Sequence, residues 1–353
     1  MKALVLSGGK GSRLRPITHT SAKQLIPVAN KPILFYGLEA LRDAGVREVG
    51  IVVGATAEEV RSAVGDGSAW GLDVTYIPQE EPLGLAHAVL VSRDFLGDDD
   101  FVMYLGDNLL LEGLGGFVQE FERHRPNAQI FLAAVPEPER FGVAVLEGDR
   151  VVRLVEKPRE PISDLALVGV YLFDATVHEA VASVKPSWRG ELEITDSIQH
   201  LIDTGRTVRA EMVAGWWKDT GHLEDLLEAN RMILSTLEPR VEGDVDERSS
   251  LVGPVVVEVG AKVSRSVIRG PAVVGEDTIV EDSVVGPHAS IYYGCRVARS
   301  QVEDAIIMER CRIEDVEGLA QSLLGKDVEV RRGRRRPAMH RLMLGDQSQV
   351  ELL

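Results

Sequence analysis

From residue 1 to about 236, short apolar runs alternate with amphipathic stretches. Runs at 2–7, 49–53, 74–77, 101–105, 129–135, 151–155, 167–173 and 208–212 read as strands. The segments 33–44, 57–64, 85–95, 117–123 and 194–202 space their apolar residues as helices do. Strands that are apolar throughout, rather than alternating, belong to a sheet covered on both faces. The pattern predicts one α/β domain with a mostly parallel sheet, which binds ligands beyond the carboxyl ends of its strands.

Near residue 240 the pattern changes. A charged stretch, 242–248, leads into a region dominated by valine, isoleucine and glycine. Aliphatics recur every sixth position at Val255, Ala261, Val267, Val273, Ile279, Val285, Ile291 and Val297. The step fails at Glu303 and resumes in a new phase at Ile307 and Ile313. Neither the helical period nor simple alternation produces a six-residue step; a parallel β-helix does, with one inward aliphatic on each side of each coil. The chain therefore reads as a first domain over 1–238 and a β-helix of hexapeptide repeats with its tail over 239–353.

Charge sharpens this picture. The chain of 353 residues has a formal net charge of −16, yet its first 38 residues hold Lys2, Lys10, Arg13, Arg15, Lys23 and Lys31 and no acid. An acidic chain of this kind argues against a nucleic-acid partner, which needs a broad basic surface. The late basic run at 331–336 reads as a solvated surface segment. No apolar stretch is long enough for a membrane span, and the short apolar N-terminus does not read as a signal peptide. The two cysteines, Cys295 and Cys311, read as buried fillers, which fits a reduced cytoplasmic location.

The early cations flank glycines. Gly8, Gly9 and Gly11, then Ser12, Arg13 and Arg15, follow the apolar run 3–6, and Lys23 comes soon after. Backbone N–H groups leaving a strand beside guanidinium and ammonium groups suit a polyphosphate. The spacing is neither that of a P-loop nor that of a dinucleotide fingerprint. Asp107 follows the apolar run 101–105, and Asp219 lies in Trp217-Lys218-Asp219-Thr220-Gly221. Two carboxylates at such a site suit Mg²⁺ shared with substrate phosphates, although each aspartate also reads as a turn residue. Gln79 and Gly84 read equally as hydrogen-bonding groups for a base edge or as a polar loop, and Lys157 closes a strand where a sugar phosphate could be held, or reads as a solvated lysine before a proline.

Taken together, Gly8-Gly9-x-Gly11-Ser12-Arg13-Leu14-x-Pro16, Lys23-Gln24-Leu25, Gly106-Asp107-Asn108, Glu156-Lys157-Pro158, the run 189–196 and Trp217-x-Asp219-Thr220-Gly221 resemble the signature of sugar-1-phosphate nucleotidylyltransferases. The likeness is to long-form glucose-1-phosphate thymidylyltransferases, which append a left-handed β-helix to a Rossmann-like domain. The resemblance implies transfer of a nucleotidyl group from dTTP to glucose-1-phosphate with Mg²⁺. UTP, another nucleoside triphosphate or another sugar phosphate stays open as an alternative. It further implies that Gly8, Gly9, Gly11 and Ser12 wrap the nucleotide phosphates, that Arg13 stabilises departing pyrophosphate, and that Lys23 contacts phosphate. Gln79 and Gly84 would read the base, Asp107 and Asp219 would hold the metal, Lys157 would bind the sugar phosphate, and Gly142 and Glu156 would line the sugar pocket. Ser12 stands where threonine is common, and Phe141 where short members often have tyrosine. A β-helix of this kind implies a homo-oligomer. Two other classes stay open: a second acyl-transfer site, for which His288 would be the base, and a non-catalytic regulatory paralogue.

Overall fold

In the computed structural model, residues 1–9, 11–19, 21–333, 342–344 and 346–351 are described. They form two compact units, each drawn from several segments. The first comprises Met1–Lys10, Ser21–Leu25 and Ile33–Asp219; the second comprises Gly11–Thr20, Ile26–Pro32 and Thr220–Leu353.

The first unit is built on a nine-stranded sheet. Its strands lie in the order Asp73–Pro78, Glu48–Val53, Lys2–Ser7, Phe101–Leu105, Leu165–Phe173, Ala128–Ala134, Val208–Met212, Arg150–Glu156 and Gly142–Glu147. The first four run parallel. Beyond them the sheet is mixed: Leu165–Phe173 runs antiparallel to both neighbours, and Gly142–Glu147 turns back through Gly148 and Asp149 to pair with Arg150–Glu156. A turn that short can join only antiparallel strands. Along Lys2–Ser7, Leu4 and Leu6 enter one apolar cluster while Ala3 and Val5 enter another, so both faces are covered, as an uninterrupted apolar run requires. Helix Leu85–Val91 ends at Ser92, whose hydroxyl donates to the Ala88 carbonyl, and Arg93–Leu96 follows as a separate turn.

In the second unit, helix Leu223–Thr236 precedes three ladders of parallel strands. The ladders stack as a solenoid, consistent with a left-handed β-helix. Paired positions recur every 17 residues in the central coils, as Val263, Val280 and Val297 do, so those coils are one residue short of three hexapeptides. The inward aliphatics run Val257, Val263, Ile268, Val274, Val280, Val285, Ile291 and Val297, in steps of six, six and five. A constant six-residue step therefore drifts out of register: Val255, Ala261, Val285, Ile291 and Val297 lie in the solenoid core, whereas Val267 is half-buried and Ile279 faces outward. The five-residue side is the ladder of Ser250–Val252, Val267–Arg269, Val284–Val285 and Gln301–Val302.

The coil period is also carried by polar residues. The hydroxyls of Ser249, Ser266 and Ser283 each accept the backbone N–H of the serine one coil further on, at 3.1 Å. Cys295 and Cys311 are buried free thiols that donate to the Met308 and Gly325 carbonyls, as packed fillers do. Of the basic run, Arg331, Arg332 and Gly333 are exposed, and 334–336 lie outside the described residues. Among the described residues no helix is long and apolar enough to cross a membrane.

Candidate active site

The carboxyl end of Lys2–Ser7 opens into Gly8 and Gly9. Both glycines lie close against their neighbours: a Cβ on Gly8 would come 3.1 Å from the Gln79 Oε1, and one on Gly9 would come 3.1 Å from the Lys23 Cε. Lys23 starts the short turn Lys23–Leu25, and its ammonium donates to the Asp107 carboxylate. Asp107 follows the neighbouring strand Phe101–Leu105 and is only 7% exposed, so an anionic group and its cation share a site with little water. Gln79 donates to the Gly84 carbonyl at 3.2 Å and lies 3.0 Å from the His87 Nδ1. Gly84 has φ +108, and a Cβ there would press within 2.4 Å of the Leu192 carbonyl oxygen, so no other residue fits that turn. Gly8, Gly9, Lys23, Gln79, Gly84 and Asp107 thus converge at one edge of the sheet.

Asp219 arrives by a device the apolar pattern does not reveal. Strand Trp217–Asp219 pairs antiparallel with Asn108–Leu110, which sets Asp219 directly opposite Asn108, the residue after Asp107. The Trp217 indole N–H donates to the Asn108 Oδ1 at 2.6 Å, and the Tyr104 hydroxyl donates to the Asn108 carbonyl at 2.7 Å. Asn108 is buried and acts as the pin of this ribbon. Its signal in the sequence is indirect: an amide directly after Asp107 and a tryptophan two residues before Asp219, on the same side of a strand.

A second cluster lies on the hairpin. Gly142 and Glu156 pair across it, and a Cβ on Gly142 would meet the Glu156 carboxylate at 2.9 Å. Arg189 lies 3.3 Å from Glu156 and also pairs with Glu191 and Glu193, while the Thr195 hydroxyl donates to Glu156 at 3.4 Å. Burial, and then the neighbouring Glu193 charge, raise the Glu156 pKa above the usual carboxylate value. Lys157 follows with φ +41, and its N–H donates to the Phe141 carbonyl at 3.0 Å. The Phe141 ring packs edge-on against Trp217 with centroids 5.5 Å apart, which ties this cluster to the ribbon bearing Asp219. An open groove of about 630 Å³ adjoins Glu156, lined also by Ser187, Trp188, Asp196 and Gln199.

Gly11, Ser12 and Arg13 belong to the second unit. Gly11 takes φ +59 and starts the turn Ser12–Leu14, which the Thr18 hydroxyl secures by donating to the Gly11 carbonyl at 2.6 Å. Arg13 is exposed, and its guanidinium lies 3.1 Å from the His222 Nε2.

Glycine loop, lysine–aspartate pair and the acidic residues Asp107 and Asp219 make a set of groups whose chemistry suits phosphate anions. The profile of the family described as Nucleotidyl transferase matches residues 2–236. The chain belongs to the nucleotidyl transferase family. A Streptomyces griseus protein named glucose-1-phosphate thymidylyltransferase is 57% identical over 353 residues, 100% of this chain and 99% of the relative, so the likeness includes the residues of the solenoid. A Streptomyces antibioticus protein of the same name is 55% identical over 354 residues, 100% of this chain and 99% of the relative. A solved Bacillus anthracis structure, provisionally named a glucose-1-phosphate thymidylyltransferase and in complex with a sucrose, is 36% identical with a TM-score of 0.62. The match covers 66% of this nucleotidyl transferase and 94% of that chain.

The acidic residues fit a divalent metal of the kind this family generally uses. Asp107 and the strand end at Asp219 offer hard oxygen donors, and no group of three or more His, Cys, Asp or Glu that could hold a metal occurs among the described residues. A two-carboxylate set suits an ion that keeps waters and completes its shell with substrate phosphates.

Proposed function

We propose that this nucleotidyl transferase moves a thymidylyl group from dTTP to glucose-1-phosphate, releasing pyrophosphate. The observation that carries the reading is the end-to-end likeness to two proteins of that name at 57% and 55% identity, over a site built for anions. A phosphate oxygen of the sugar phosphate attacks the α-phosphorus of the triphosphate. The new O–P bond forms as the bond to the bridging oxygen breaks, and pyrophosphate departs with the electron pair. The attacking oxygen is already anionic, so no side chain has to remove a proton. The protein's task is to bring two anions into line and to spread their charge.

Gly8, Gly9, Gly11 and Ser12 cradle the triphosphate with backbone N–H groups and a hydroxyl, and Lys23 and Arg13 supply positive charge to it. Lys23 donates to the Asp107 carboxylate, which fixes the position of its ammonium beside Gly9. Gln79 and Gly84 present amide and backbone groups to the base edge. Lys157 takes the phosphate of the sugar phosphate, and Gly142 and Glu156 meet sugar hydroxyls. Asp107 and Asp219 would hold Mg²⁺, which would supply positive charge to the phosphates.

The test follows label from dTTP carrying ³²P at the α-position. With glucose-1-phosphate and Mg²⁺, wild-type protein is expected to move the label into a nucleotide sugar. Lys23→Ala and Asp107→Ala are each expected to lower the rate by about a hundredfold or more, the scale for losing a charged group aimed at a reacting phosphate. Label that stays in dTTP with wild-type protein would overturn the reading. Variants as fast as wild type would overturn the residue roles.

A further inference from the structure

Arg13 departs from a well-fixed backbone, with Leu14 buried beside it and Gly11 tied to Thr18, but its own side chain is long and exposed. Two residues hold its guanidinium. Gly221 lets the group lie flat on the main chain, since a Cβ there would come 3.0–3.2 Å from its Nη2, Nη1 and Cζ. His222 meets it edge-on, with Nε2 at 3.1 Å from Nη1. A guanidinium only donates, so Nε2 is the accepting nitrogen in the tautomer that binds Arg13.

The imidazole is itself anchored. His222 is the N-cap of Leu223–Thr236: its ring accepts the Asp225 N–H, and the Asp225 carboxylate accepts the His222 N–H at 3.1 Å. Asp225 is buried, so this reciprocal pair sets the ring's orientation. A neutral imidazole has one accepting nitrogen, so the ring accepts from the Asp225 N–H or from Arg13 according to its tautomer, and the two uses compete. The hold on Arg13 is therefore releasable, as suits a guanidinium that must move onto a phosphate oxygen.

We propose that His222 is the positioning residue for Arg13, keeping the guanidinium in place over Gly221 until substrate phosphate takes it. This inference rests on the assignment of Arg13 to the departing pyrophosphate. It is tested by measuring turnover and thermal midpoint together for Arg13→Ala and three variants of His222. His222→Asn keeps a cap acceptor near the backbone but cannot reach Arg13. It is expected to retain the wild-type midpoint and to lose about tenfold in kcat, the value of one hydrogen bond to a charged donor. His222→Gln places an amide oxygen at the reach of Nε2 and caps poorly. It is expected to recover most of the turnover while melting lower. His222→Ala is expected to lose on both counts. Wild-type kcat in His222→Asn, or turnover that simply follows the midpoint across the series, would overturn the proposal. Undiminished kcat in Arg13→Ala would instead remove the assignment of Arg13, and this proposal with it.

Discussion

Single residues carry this account where their surroundings leave little choice. Gly84, with its positive φ and the Leu192 carbonyl against it, is a glycine for reasons of space, and Gly9 lies close against the Lys23 side chain. Glu156 shows what a site residue costs. Burial and the Glu193 charge raise its pKa, so the folded protein holds this proton more tightly than the unfolded chain does. Stability from such a group is fully present below the unfolded pKa and is lost as pH rises through the folded one. Replacing Glu156 with Gln should therefore raise the thermal midpoint at pH 8, with the gain shrinking to nothing as pH falls below the usual carboxylate pKa. Parallel melting curves of the two proteins across that range check it; a variant less stable than wild type at pH 8 would contradict it. Phosphate handling needs particular residue types, and it is the resemblance to the nucleotidylyltransferase signature, more than composition or spacing, that marks Arg13, Lys23, Lys157, Asp107 and Asp219 as candidates. What holds them was not legible in the sequence. Arg189 against Glu156 and His222 against Arg13 span long stretches of chain and leave no local pattern.

At the scale of elements, long apolar runs were readable and short pairings were not. The strands from Lys2–Ser7 to Val208–Met212 stand where uninterrupted burial on both faces demands aliphatics. The ribbon of Asn108–Leu110 and Trp217–Asp219 is only three residues long and is pinned by the Trp217–Asn108 side-chain hydrogen bond, so periodicity cannot find it. It nonetheless brings the second aspartate to the site. Trp217→Phe keeps most of the ring packing against Phe141 but leaves the buried Asn108 Oδ1 without its donor. The expected result is about 1–3 kcal/mol lost in denaturant unfolding and roughly tenfold lower activity. Stability and activity both at wild-type levels would show that the ribbon does not depend on this bond. The solenoid teaches a related lesson. Its architecture was visible in recurring aliphatics, but the six-residue step fails because one side of each central coil is five residues long. The more faithful marker of the coil was polar: Ser249, Ser266, Ser283 and Ser300, which recur every 17 residues and pass one hydrogen bond from coil to coil.

At the scale of the whole molecule, an acidic chain of net charge −16 keeps an acid-free N-terminal stretch of 38 residues, from which Gly8, Gly9, Arg13 and Lys23 come. The two compact units do not divide the chain at one point: the segments Gly11–Thr20 and Ile26–Pro32 group with the solenoid. Ala29 and Asn30 of the latter segment are bound there, with the Ala29 N–H donating to the buried Asn230 and the Asn30 amide donating to the Ile291 carbonyl, each at 2.8 Å. The likeness to thymidylyltransferases spans both units and the full length. Base choice is the finest part of the assignment, because thymine differs from uracil by one methyl group, worth about 1–3 kcal/mol in a fitted pocket. The most direct test is a competition: equimolar dTTP and UTP, glucose-1-phosphate and Mg²⁺ in one tube, with the nucleotide sugars formed at early times separated and weighed by mass spectrometry. The account predicts dTDP-glucose in about tenfold or greater excess over UDP-glucose. UDP-glucose as the main product, or no nucleotide sugar at all, would contradict it.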